Sequence, residues 1–165
     1  MEDYMPVKRC FLLLIAVCAA FPVGAATVSF MVIETGLDAE AAANQHSGLW
    51  ESGLLDVFFE SGHIVSNTPV LRLEGMPDEA FPPEAQDNLD EALEGGIEYF
   101  IIALLEYQNQ GGKAGRPQRV TLRLFKTQPF ELVFEQESVI DSARSAKEEY
   151  ENLKKVARVL VPQME

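Results

Sequence analysis

Two histidines, His46 and His63, are the only imidazoles in the chain, 17 positions apart, with no cysteine or patterned carboxylate beside either one. A general base or a metal ligand needs a partner at a defined spacing, and neither histidine has one in sequence. His63 therefore reads as a capping or packing residue. The alternative is a hydrolase or small-ligand site in which His63 works with nearby carboxylates such as Asp56. Ser61 and Ser66 lack the G-x-S-x-G frame that presents a nucleophile on a tight strand-to-helix turn. Asp87, Asp90, Glu91 and Glu94 read as a solvated helix face, because no aspartate ladder with a glycine at EF-hand spacing is present. Gly111-Gly112-Lys113-Ala114 lacks the phosphate-loop spacing and the following Ser or Thr. Both cysteines, Cys10 and Cys18, lie in the apolar leader, which leaves the remainder without a thiol. We expect no catalytic residue, no metal ligand and no cofactor.

Charge narrows the partners. Lys+Arg 13 against Asp+Glu 26 gives −13. Removing the first 25 residues deletes Glu2, Asp3, Lys8 and Arg9 and leaves the difference unchanged. Phosphate backbones and anionic lipid heads repel such a surface, so nucleic acid is not an expected partner.

The leader sets the compartment. Lys8-Arg9 precede an apolar run from Cys10 to Phe21, and small residues follow at Val23-Gly24-Ala25-Ala26, the pattern of a secretory signal. The run is shorter than the roughly 20 residues a bilayer span requires. We expect a signal peptide over 1–25, cleavage after Ala25 or Ala26, and one exported domain over 26–165. An uncleaved leader would act as an inner-membrane anchor. Ile15-Ala16-Val17-Cys18 resembles a bacterial lipobox with valine in place of a small residue, and lipidation of Cys18 would tether the domain to the outer membrane. Otherwise the domain is periplasmic or secreted, and it touches a membrane only through such a leader.

The elements that position these residues follow from periodicity. Thr27 to Glu34 is a continuous β-branched and apolar run, the mark of a central strand covered on both faces. A helix then starts near Leu37, with Asp38 or Thr35 as its N-cap, and either runs through Gly48 and Gly53 or breaks near Gly48. Trp50, Leu54, Val57 and Phe58 share one face of it, with Leu55 and Phe59 alongside, a wide stripe that demands a sheet. At helical spacing Trp50 and Phe58 read as core rather than as the lining of a ligand pocket. Gly62 ends the helix and Ile64-Val65 opens a strand. Pro69 leaves Thr68 to Leu73 as an edge strand or a loop. Pro83 starts a short helix carrying Ala85, Leu89, Ala92 and Leu93, which Gly95-Gly96 closes. Ile97 to Tyr107 is a second buried strand, and Gln108 to Gln118 a glycine-rich loop. Arg119 to Lys126 alternates, with Val120, Leu122 and Leu124 facing one way and Thr121, Arg123 and Phe125 the other, and one of the two sides is expected to be wet. Glu131 to Glu135 adds an antiparallel strand. Asp141-Ser142 and Ser145-x-x-Glu148 open a terminal helix with Ala146, Tyr150, Leu153, Ala157 and Leu160 on one stripe, ended by Pro162. The expected fold is α/β (α+β), a mixed sheet in the order β-α-β-α-β-β-β-α with helices packed on it.

Phe58-Phe59-Glu60-Ser61-Gly62-His63-Ile64-Val65, a helix running through glycine into a strand, and Glu94-Gly95-Gly96-Ile97-Glu98-Tyr99-Phe100-Ile101-Ile102 carry a resemblance. The arrangement resembles the exported α/β domain shared by the curli secretion component, the lipoprotein activators of penicillin-binding proteins and the amino-terminal domain of TolB. The resemblance implies a non-enzymatic interaction or assembly module of the cell envelope, with other envelope proteins as partners.

Overall fold

The computed structural model describes residues 24–37, 45–107, 116–140 and 145–164. The leader over 1–23, the Asp38 N-cap, Gly111-Gly112-Lys113 and Asp141-Ser142 lie outside the described residues. Strand β1 (Thr27–Thr35) is buried at all but its first residue. Its Val, Ile, Phe and Met side chains alternate between two apolar layers, as a strand covered on both faces requires. Val28, Phe30 and Val32 enter one core and Met31 and Ile33 the other.

Helix α1 (Gln45–Glu60) crosses back over β1. It runs unbroken through both Gly48 and Gly53. At Gly53 a Cβ would overlap Leu153 Cδ2, so the missing side chain lets the terminal helix approach. Thr35 is not its N-cap: it sits within β1 and its hydroxyl donates to the Leu105 carbonyl at 3.4 Å. Trp50, Leu54, Val57 and Phe58 are buried and Leu55 is half-buried. Phe59 is 76% exposed, so the stripe is narrower than its composition suggests. Gly62, at φ +84°, turns the chain into β2 (Ile64–Asn67).

After Pro69, β3 (Leu71–Leu73) joins the same edge of β1, with Ile33 opposite Leu71 and Thr35 opposite Leu73. β3 resolves the 68–73 segment as an edge and lengthens the element order by one strand, to β-α-β-β-α-β-β-β-α. A 3-10 turn (Pro83–Ala85) leads into α2 (Gln86–Glu94), which ends at Gly95; only Gly96, at φ +76°, takes the left-handed conformation. β4 (Tyr99–Tyr107) lies parallel to β1, with β5 (Pro117–Thr127) and β6 (Phe130–Val139) antiparallel beyond it. The six described strands form one mixed sheet in the order β2-β1-β4-β5-β6, with β3 beside β1.

Helices cover both faces. On one, α1 and α3 (Ala146–Ala157) meet Phe30, Ile101, Leu122 and Leu124. On the other, α2 and the segment before it cover Met31, Ile33, Phe100 and Phe125. Both faces of β5 are therefore covered along its middle, where alternation predicts one wet side. Phe81 meets Phe125 edge to face at 5.4 Å, and Arg123 Nη1 donates to the Ala80 carbonyl at 2.9 Å. A non-local segment dries that side, and alternation within β5 carries no sign of it. Ser145 caps α3 by accepting from Glu148 N–H, the N-cap half of the box its sequence predicts. The α-helix stops at Ala157 rather than at Pro162; a 3-10 turn (Arg158–Gln163) carries Pro162 inside it.

Candidate functional site

The sequence-predicted groups engage separate partners. His63 is half-buried, its Nδ1 accepting the Ala26 N–H at 3.3 Å and its ring 6.3 Å from that of Phe58. It performs the corner role its position suggests. Asp56 instead receives the Tyr150 hydroxyl and lies 3.9 Å from Lys154 Nζ. The Ser61 hydroxyl donates to the Val57 carbonyl at 2.7 Å, and Ser66 is exposed. Asp87, Asp90, Glu91 and Glu94 are all exposed on α2. Ala25 is exposed, whereas Ala26 is buried and its carbonyl accepts from Ile64 N–H at 3.0 Å.

A different cluster gathers at the carboxyl ends of β1, β3 and β4, the place where open α/β sheets bind ligands. The Ser47 hydroxyl donates to Glu34 Oε1, and Arg72 Nε donates to Oε2 at 2.7 Å. Glu34 is 1% exposed, so both of its oxygens are satisfied away from water. The Tyr107 hydroxyl lies 3.4 Å from Ser47 Oγ. Burial pushes the Tyr107 phenol well above its ordinary range, and the Glu34 and Glu149 carboxylates add to that shift. Beside it, buried Glu149 contacts His46 Nδ1 at 2.6 Å and Arg116 Nε at 3.2 Å. Two carboxylates, two arginines, a histidine, a serine and a tyrosine thus engage one another. The arrangement balances buried charge and locks α1 and α3 onto the strand ends.

Sequence reasoning passed over this cluster because its members are scattered. Glu34 precedes Arg72 by 38 positions and His46 precedes Glu149 by 103. One local signal was available: Glu34 is a charge inside an otherwise apolar run, and a buried charge needs a partner.

The second feature is the free side of β6, which ends the sheet. Phe130, Leu132, Val133 and Val139 are between 38% and 74% exposed on it. Its inner face is better covered, with Phe134, Gln136 and Ser138 half-buried. Leu124 pairs with Phe134 and Phe125 with Leu132, which leaves Val133 as an extra, bulged residue. Along an antiparallel edge, every second residue turns its N–H and C=O outward, and among the described residues no strand meets those groups.

Residues 27–158 match the model of a family described as "Uncharacterised protein". No curated protein matches the sequence. Among solved structures the chain is similar to a PelC dodecamer from Paraburkholderia phytofirmans, at 15% identity and a TM-score of 0.49, covering 80% of this chain and 86% of that one. It is similar to TolB from Acinetobacter baumannii, at 11% identity and a TM-score of 0.38, covering 83% of this chain and 27% of that one. It is also similar to a competence-damaged protein (CinA) superfamily protein from Enterobacter cloacae, at 10% identity and a TM-score of 0.43, covering 100% and 96%.

Proposed function

We propose, for a chain that belongs to the family described as "Uncharacterised protein", a non-enzymatic role as an exported interaction module that docks an envelope partner along the open edge of β6. The single observation behind this reading is the ten-residue outer strand, whose backbone is unpaired on one side among the described residues. An edge of that length is a template for a further strand, and strand addition is a recurring mode of protein recognition. The polar cluster at the strand ends supports the non-enzymatic half, because its carboxylates are turned onto its own arginines, serine and histidine.

Export is supported by the basic flank, apolar core and small-residue site of the leader. Among the described residues no helix is long and apolar enough to cross a membrane. Ala26 belongs to the folded domain through its carbonyl bond to Ile64, so processing between Ala25 and Ala26 preserves the fold and processing after Ala26 removes a buried residue. The mature amino terminus by intact mass should therefore be Ala26.

Photo-crosslinking in intact cells tests the docking role. A photoreactive residue at Leu132 or Val139 should give one dominant adduct with an envelope protein, and the same residue at Phe59, exposed on α1, should not. Equal labelling from both places, or free monomer only, would refute the reading.

A further inference from the structure

We infer that the β6 edge accepts an extended partner segment carrying two basic residues at alternate positions with apolar residues on either side, in preference to a second copy of this chain. The inference rests on the docking role proposed for that edge and specifies the chemistry of its occupant.

The register defines one face of β6. Phe130, Leu132, Glu135, Glu137 and Val139 stand opposite Thr127, Phe125, Arg123, Thr121 and Arg119, alternate residues of β5 that share a side of the sheet. A strand laid against β6 meets that face in order: two apolar positions, two carboxylates, one apolar position. Cross-strand neighbours interact most strongly when charges are opposite and apolar groups meet.

The carboxylates retain capacity for a second cation. Arg123 Nε reaches Glu135 Oε2 at 2.6 Å, and Arg119 Nη1 reaches Glu137 Oε1 at 3.0 Å. Each contact engages one oxygen, and the two side chains stay 45% and 55% exposed. A carboxylate offers about four lone-pair sites on two oxygens, so an incoming lysine or arginine has an acceptor waiting.

The same charges oppose self-pairing. β6 carries Glu131, Glu135 and Glu137 and no lysine or arginine. Pairing two copies along it brings six glutamates together between chains of net charge −13. Glutamates on an edge strand are charges that discourage association with a like edge. A basic strand turns that repulsion into attraction.

Labelled peptides and the full chain test this by fluorescence anisotropy. The basic probe is Val-Thr-Lys-Thr-Lys-Thr-Val-Thr-Val; the acidic probe has glutamate for lysine; a third is the basic probe with every second backbone nitrogen methylated. The basic probe should bind at least about tenfold more tightly than the acidic one, and methylation should abolish binding. Glu135→Lys with Glu137→Lys should invert the preference. Asp87→Lys with Asp90→Lys, an equal charge change on α2, should leave it in place. Equal binding of both charged probes, each lost on methylation, would overturn the basic partner while sparing the edge. Binding that survives methylation, or that the α2 variant alters equally, would reduce the effect to general attraction to an acidic surface. No binding by any probe would sink both readings. Sedimentation of the full chain as a dimer that the basic probe displaces would assign the edge to a second copy. The peptide comparisons decide the matter on the unaltered protein even where the double β6 variant fails to fold.

Discussion

Beyond β1 the sheet ends in two short strands of four and three residues, separated by Pro69 and tied down where Arg72 meets Glu34. Beyond β5 it ends in a single strand of ten residues that carries three glutamates and a bulge. The first edge is closed by brevity: few consecutive backbone groups face outward, proline withholds a donor, and charge defences are unnecessary. The second is long enough to pair. In the docking role proposed for it, length sets whether an edge can act, and charge sets on whom.

The contrast has a support that mutation can remove. Leu153 seats α3 against Gly53, and the 3-10 turn after α3 lies near the inner face of β6. Leu153→Ala should cost about 3 kcal/mol of unfolding free energy, as lost burial plus a residual cavity, measured by urea denaturation. Hydrogen exchange should then quicken more in β6 than in β2 and β3. Equal quickening at both edges would break the comparison.

Arg72→Met strikes the other edge. Among the described residues it leaves the buried Glu34 carboxylate with the Ser47 hydroxyl as its hydrogen-bond partner, at a cost of about 2 kcal/mol. That figure is discounted from a fully buried pair because the Arg72 side chain is 36% exposed. β3 should lose exchange protection while peptide binding at β6 is unchanged. A loss of peptide binding would show that the two edges are coupled.

Smaller effects probe the contact between α1 and α3 in which Lys154 Nζ donates to Glu60 Oε1 at 2.6 Å. Hydrogen bonding from Lys154, ahead of the charges of Lys154 and Arg158, holds the Glu60 carboxyl below its ordinary 4.5. A carboxyl lowered in the folded state contributes stability above its unfolded value, and that contribution disappears as pH falls through the folded one. The urea midpoints of the parent and Glu60→Gln should therefore differ at neutral pH and converge well below 4.5. The smallest effect is spectroscopic. The hydrogen bond to Asp56, with burial second, pushes the Tyr150 phenol up to about 12. The stabilisation it reports is present below the ordinary 10.0 and is lost as pH rises through about 12. In an absorbance titration, Asp56→Asn should bring one phenol back toward 10.0.

Much of the scaffold was legible because its signals are local. The continuous apolar run of β1, the four-and-three spacing from Trp50 to Phe58, the glycines at 62 and 96 and the box from Ser145 to Glu148 each depend on neighbouring residues. β3 escaped a firm reading because three residues carry too little period to separate strand from loop. The wet side assigned to β5 failed because Phe81 and the Ala80 carbonyl come from another part of the chain to dry it. At the candidate site, His63 and Asp56 lacked a frame in sequence, and in space they have separate partners.

By itself the sequence determined the kinds of elements and their order along the chain, since strand, helix and turn preferences are settled within a few residues by side-chain period and backbone allowance. It also determined the net acidity of the chain, −13. Only the tertiary structure decided that β6 is an outer strand and that Glu34 meets Arg72 and His46 meets Glu149. Strand order and the encounter of residues up to 103 positions apart are products of packing all the layers at once, and no short window of residues contains that information.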